Sequence, residues 1–323
     1  MKEYSGKFIK NVAVVGHTGS GKTELLESIL FNNKITDRFG KAVDGNSIID
    51  YDGEEVKRGM SVYLHLVPFE WNNCKINFID TPGYLDFAGE QTAALAVADA
   101  VLIVVSARDG IQSGTSKAYH AAISRNLPVF FYVTRVDEDN AKWEEVVNNL
   151  EKKFKASPLL LPVIEGGKAV GIVDVINEKV HINGKETEVS AQFKDEADAR
   201  HAELVEAVAM TDDDLTEKFL EGEEPTAGEL KKVLRRATCE CTAVPVTCGS
   251  AYRNKGVQKL IDAVVEYMPA PTDIPSIKGT DLQGNEVERH SSDDEPFSAL
   301  AFKIMTDPYV GKLAFFRVYS GVA

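Results

Sequence analysis

Apolar positions along this chain recur in two periods. Val12, Ala13, Val14 and Val15 form a short run closed by Gly16, the pattern of a buried strand. Residues 23–32 then carry Leu25, Leu26, Ile29 and Leu30 at helical spacing. Residues 34–59 show no period and predict a long loop, a length usually kept for function or mobility. Residues 61–70 and 75–79 read as strands. Two further apolar runs, 102–105 and 129–133, are each followed by a helix-like stretch. Strands alternating with helices predict an α/β fold, a parallel-rich sheet covered on both faces.

The pattern changes past Leu150. Residues 170–176 and 179–182 alternate like a small sheet, and 195–229 read as helices. Residues 244–247 and 256–268 return to a strand followed by a helix. Pro269, Pro271 and Pro275 mark a linker, after which 297–304 and 313–319 read as two strands. The expected organisation is an α/β domain over 1–275, interrupted by an inserted α+β subdomain at about 156–242. A second, β-rich part follows over 276–323. Two strands cannot close a barrel, so the chain is expected to be the front of a longer multidomain protein.

Composition adds limits. The 323 residues are 44% hydrophobic and 27% charged, which excludes a disordered or collagen-like chain. The net charge of −14 argues against wrapping naked nucleic acid, and no sequence-specific DNA binding is expected. Residues 195–229 hold 13 acids against 2 bases, so most of that charge is local. The longest apolar stretch, 93–107, is broken by Asp99 and predicts no membrane span. Four cysteines are too few for a disulfide scaffold, and Cys239, Cys241 and Cys248 lack a second ligand pair at zinc spacing. A cytoplasmic enzyme with reduced thiols is expected.

The sharpest chemistry is Gly16-His17-Thr18-Gly19-Ser20-Gly21-Lys22-Thr23, which fits G-x-x-x-x-G-K-[ST] between a predicted strand and a predicted helix. Loop amides and the helix N-terminus suit phosphate oxygens. Lys22 would reach the β- and γ-phosphates, and Thr23 would put its hydroxyl on Mg²⁺. Asp80-Thr81-Pro82-Gly83 ends the strand 75–79. Asp80 can hold Mg²⁺ through water, and the Gly83 N–H can approach a γ-phosphate because no Cβ intervenes. Thr134-Arg135-Val136-Asp137 ends another strand. A carboxylate there can accept from guanine N1–H and N2–H₂, a donor pair that adenine lacks. Ser250 and Ala251, after the strand 244–247, can add a backbone N–H for guanine O6. In this order the four segments form a guanine-nucleotide set, with GTP as substrate and GDP as product.

The chain resembles translational GTPases of the elongation factor G type, over nearly all of its length. The resemblance is sharpest in CGSAYRNKGVQKLIDAV from Cys248 and DEPFSALAFKI from Asp294, and residues 311–321 look like the opening strands of that family's β-barrel. It implies Mg²⁺-dependent GTP hydrolysis coupled to ribosomal translocation or a related step, by a monomer. It implies too that the insertion is a subdomain, whose acidic helices could meet a ribosomal stalk protein. Ribosomal protection or termination is the alternative role, and a binding module with negligible hydrolysis is the alternative class.

Four departures from the family stand out, one of them a pair of residues. Gly19 replaces an Asp, and His17 keeps the family's residue as a structural one. Ser61 replaces the Thr that closes over Mg²⁺, keeping the hydroxyl. Tyr84 replaces the His that places the attacking water. Thr134-Arg135 replaces Asn-Lys, which bears on loop bracing while Asp137 keeps base choice. Lys22, Gly83 and Tyr84 are the expected catalytic set, and Thr23, Ser61 and Asp80 the expected Mg²⁺ set. Segments 34–61 and 80–89 are expected to order on triphosphate.

Overall fold

A computed structural model describes residues 3–182, 184–307 and 310–322. Strand β1 (Ile9–Val15) leads to α1 (Lys22–Asn32) and a short α2 (Gly53–Arg58). Then come β2 (His65–Trp71), β3 (Cys74–Asp80), α3 (Ala88–Val97), β4 (Ala100–Ser106), α4 (Ser113–Ile123), β5 (Val129–Thr134) and α5 (Trp143–Phe154). Beyond them lie β6 (Ala156–Pro158), β7 (Leu160–Glu165), β8 (Lys168–Asp174), β9 (Lys179–Ile182), β10 (Lys185–Glu188), α6 (Ala191–Ala209), α7 (Asp213–Leu220) and α8 (Ala227–Cys239). The chain closes through β11 (Val244–Cys248), α9 (Val257–Tyr267), β12 (Ile277–Thr280), β13 (Glu286–Arg289), β14 (Ser298–Asp307) and β15 (Gly311–Ser320).

The main sheet has the order β2-β3-β1-β4-β5-β11-β6. Only β2 runs antiparallel. Every residue of β4 and β5 is buried, as a parallel sheet covered on both faces requires. Edge strand β2 instead alternates buried and exposed. Its hairpin with β3 turns on Asn72 and Asn73, both at positive φ, the two-residue turn that matches strand twist. From β1 the chain steps to β3 on one side and to β4 on the other. Ligands in such sheets sit where the winding reverses, at the carboxyl ends of the strands. Residues 16–23, Asp80, Thr134 and Ser250 all follow or end those strands. The fold is thus the expected α/β phosphate-loop fold, with added antiparallel strands consistent with a following β domain.

Two expectations need correction. Residues 34–59 are not a plain loop. They hold α2, capped reciprocally by Asp52 and Glu55 and ended by Gly59 at positive φ. The buried Glu27 of α1 gathers the rest. Its carboxylate accepts from Gly40 N (3.2 Å), Ser47 Oγ (2.6 Å), Ile48 N (2.7 Å) and Ile49 N (3.2 Å). Residues 61–64 are not strand either, because their amides are taken by side chains. Val62 N and Tyr63 N donate to Glu55 (2.9 and 3.0 Å), and Leu64 N donates to Glu90 (2.7 Å).

Between β6 and β11, the four-stranded antiparallel sheet β10-β9-β8-β7 packs with helices α6 to α8. The basic residues of α8 mostly bond named partners. Arg235 donates to Glu266 O (2.8 Å) and pairs with Asp273 (2.6 Å), Lys231 pairs with Glu266 (3.3 Å), and Arg236 pairs with Asp212. The hairpin β14–β15 seats on the main domain through Arg317. This side chain meets buried Asp99 (2.5 Å) and Val97 O (2.6 Å), while Lys303 donates to Leu64 O. Among the described residues no helix is long and apolar enough to cross a membrane.

Candidate functional site

The phosphate loop is wrapped tightly at the end of β1. A Cβ on Gly16, at φ +148°, would lie 2.4 Å from Val104 O, so only glycine fits. Lys22 is buried and donates to Gly16 O (3.2 Å) and His17 O (3.1 Å). Burial lowers its pKa, against the pull of Asp80 and Asp50. His17 packs on Gly114, its Nδ1 buried and unpartnered, which suits a structural role. Gly19 and Gly21 take positive φ, and Ser20 O accepts from Thr134 Oγ1 (2.7 Å). Gly83 stands directly over this loop. A Cβ there would fall 2.6 Å from Thr18 Cα and 2.7 Å from Lys22 Nζ. Tyr84, next in line, is 42% exposed and opens the short turn Leu85–Phe87.

Beside Lys22 the oxygen ligands converge. Thr23 Oγ1 donates to Asp80 Oδ2 (2.7 Å) and lies 3.1 Å from Ser61 Oγ. Ser61 Oγ in turn donates to Asp50 Oδ2 (3.1 Å). Sequence reasoning missed Asp50. It is buried, its Oδ1 has no partner, and burial together with nearby Asp80 pushes its pKa up to about 7. Burial likewise raises Asp80, opposed by Lys22. Two buried carboxylates, one with an unpartnered oxygen, and two hydroxyls are a hard-oxygen set that suits Mg²⁺. Behind them Glu55 Oε1 and Oε2 each lie 2.9 Å from His65 Nε2 and hold the segment that presents Ser61. No periodicity marks Asp50, because it reaches the site through the fold of residues 34–61.

The residues expected from sequence to read the base lie at the carboxyl ends of β5 and β11. Thr134 is buried and braces the loop: its hydroxyl donates to Ser20 O (2.7 Å) and Val105 O (3.2 Å). Arg135, at φ +59°, turns to Glu24 (3.4 Å) and Glu138 (3.5 Å). Asp137 is 12% exposed, and its Oδ2 accepts from Arg253 Nε (2.9 Å). Across from it, Gly249 N donates to Val133 O (3.0 Å) and Ser250 N to Lys255 O (2.9 Å). Those two amides are spent within the fold. Ser28 Oγ fixes this turn by donating to Ala251 O (2.8 Å). Arg253 was also missed, since nothing local in sequence ties it to a residue 116 positions away.

The site thus joins a glycine-rich loop closed over Lys22, a corner of oxygens around Thr23, Ser61, Asp50 and Asp80, and the Asp137 carboxylate at the end of the loop after β5. A model of the elongation factor Tu GTP binding domain matches residues 7–270. The crystal structure of ttk003000868 from Thermus thermophilus is 34% identical and superposes with a TM-score of 0.86. That match covers 98% of this chain but 46% of the other, so this chain spans less than half of that protein's length. The extent of the family match, together with the site it covers, shows that the chain belongs to the elongation factor Tu GTP-binding domain family, the translational GTPases.

Proposed function

We propose that the chain is the GTP-hydrolysing part of a translation factor of the elongation factor G type, acting in ribosomal translocation or a related ribosomal step. The observation that supports this most is the meeting of Lys22, Thr23, Ser61, Asp80 and Gly83 beside one phosphate loop, with Asp137 on the base wall. Loop amides and Lys22 would bind the phosphates. Thr23, Ser61, Asp80 and Asp50 would hold Mg²⁺, which supplies charge neutralisation between the β- and γ-phosphates. The Gly83 N–H would meet the γ-phosphate, and Tyr84 would stand near the attacking water. Water adds to the γ-phosphorus as its bond to the bridging oxygen breaks, leaving GDP and phosphate. Catalysis is then positioning and charge stabilisation.

The factor would work as a cytoplasmic monomer on the ribosome, with the acidic helices around 195–229 offered to a basic stalk protein. Tyr84 favours a second reading, a binding module that holds GTP and turns it over negligibly, because a tyrosine has no cationic form beside the phosphates. One measurement tests the guanine assignment that both readings share, and a second separates them. Asp137→Asn should weaken GDP by about 1–3 kcal/mol and favour xanthine nucleotides; unchanged GDP affinity would remove the guanine assignment. Phosphate release by the full-length protein should rise on adding ribosomes, and a flat response would leave the binding module.

A further inference from the structure

We propose that Arg253 is a positioning residue for base recognition, holding the Asp137 carboxylate in the orientation that takes the paired N1–H and N2–H₂ donors of guanine. The inference rests on the guanine reading above and adds the residue that sets its selectivity.

Asp137 needs an orienting partner, and its sequence neighbours supply none. The Thr134 hydroxyl is committed to Ser20 O and Val105 O. Arg135 is turned to Glu24 and Glu138. Among the described residues the side chain that reaches the carboxylate is Arg253, through Nε at 2.9 Å from Oδ2. A carboxylate offers about four acceptor positions, so one N–H leaves room for both base donors while removing rotation about the Asp137 side chain.

Arg253 is itself well placed to brace. Its N–H donates to Ser250 Oγ (3.3 Å), and the turn is closed by Ser250 N to Lys255 O (2.9 Å) and Lys255 N to Ser250 O (3.1 Å). The same turn carries Ala251, whose N–H the guanine reading assigns to the base, and is pinned to α1 through Ser28. One short, closed turn therefore carries both a direct base contact and the group that orients the other. A fully exposed pair of this kind would contribute little; here Arg253 is 49% exposed, but the carboxylate it holds is only 12% exposed.

The test is competition binding of GDP and of inosine diphosphate, which lacks the 2-amino group, to the full chain and its variants, with thermal melts to confirm folding. The parent should prefer GDP. Arg253→Ala should weaken GDP roughly tenfold and inosine diphosphate only about threefold, because two bonds demand a fixed carboxylate more than one does. Arg253→Lys, which keeps charge but loses the Nε geometry, should fall between. A merely structural role would weaken both nucleotides equally. Arg253→Ala with the parent's GDP preference, or with tighter GDP, overturns the proposal while leaving the guanine reading intact. A folded parent that does not distinguish GDP from inosine and adenosine diphosphates overturns both.

Discussion

The proposed function makes Tyr84 the side chain whose identity should set the rate of hydrolysis. Its backbone follows Gly83, which packs against Thr18 and Lys22, so its side chain starts beside the phosphate loop, where the proposed function puts the γ-phosphate. A phenol can donate or accept one hydrogen bond, but its reference pKa near 10 gives it no positive form. An imidazole is shorter and can carry charge. Tyr84→His should therefore raise single-turnover hydrolysis on ribosomes with little change in nucleotide affinity, the mark of an interaction used in the transition state. An unchanged or lower rate would make Tyr84 either a working substitute or a bystander. Ser61 makes the opposite point: it keeps the hydroxyl, and that hydroxyl bridges Thr23 and Asp50.

Among the elements, residues 34–64 show how far a segment can be organised without periodicity. Glu27 supplies one carboxylate to three amides and a hydroxyl, and Glu55 and Glu90 do the same for the stretch behind Ser61. Glu27→Gln replaces an acceptor oxygen with a donor facing donors. Amide exchange of residues 40–49 should then speed up, at a local cost of about 1–3 kcal/mol, with β1 and β4 unaffected. Uniform protection before and after the change would show that Glu27 does not hold the segment. The strands β1, β4 and β5 were legible in advance because a strand covered on both faces is an unbroken apolar run. The true start of β2 at His65 was not, because residues 61–64 are apolar enough to pair but bond side chains instead.

For the whole molecule, Lys10 ties the first strand to the last turn of the main domain. Its Nζ donates to Met268 O (2.5 Å), and the side chain is buried. Burial, helped by nearby Arg235, lowers its pKa from 10.5 to about 8. The unfolded chain then binds more protons than the folded one between about pH 8 and 10.5. Stability should rise with pH across that window, by up to ~3 kcal/mol from this group. Chemical denaturation at pH 7.5 and 9.5, for the parent and Lys10→Met, checks it: the parent's rise should be lost in the variant. An equal rise in both would place its source elsewhere.

The α/β class and the places of the phosphate loop, Asp80, Asp137 and the Ser250–Ala251 turn could be read from residue order alone, because each depends on a short motif at the end of an apolar strand. What those motifs touch came from the folded chain. Asp50 enters the cation corner through a strap tied to Glu27, Arg253 meets Asp137 across 116 residues, and Arg317 reaches Asp99 from a different sheet. The reason is physical: periodicity records which face of an element is buried. A contact between polar side chains on separate elements is set by where the folded backbone carries them, and leaves no period in the chain.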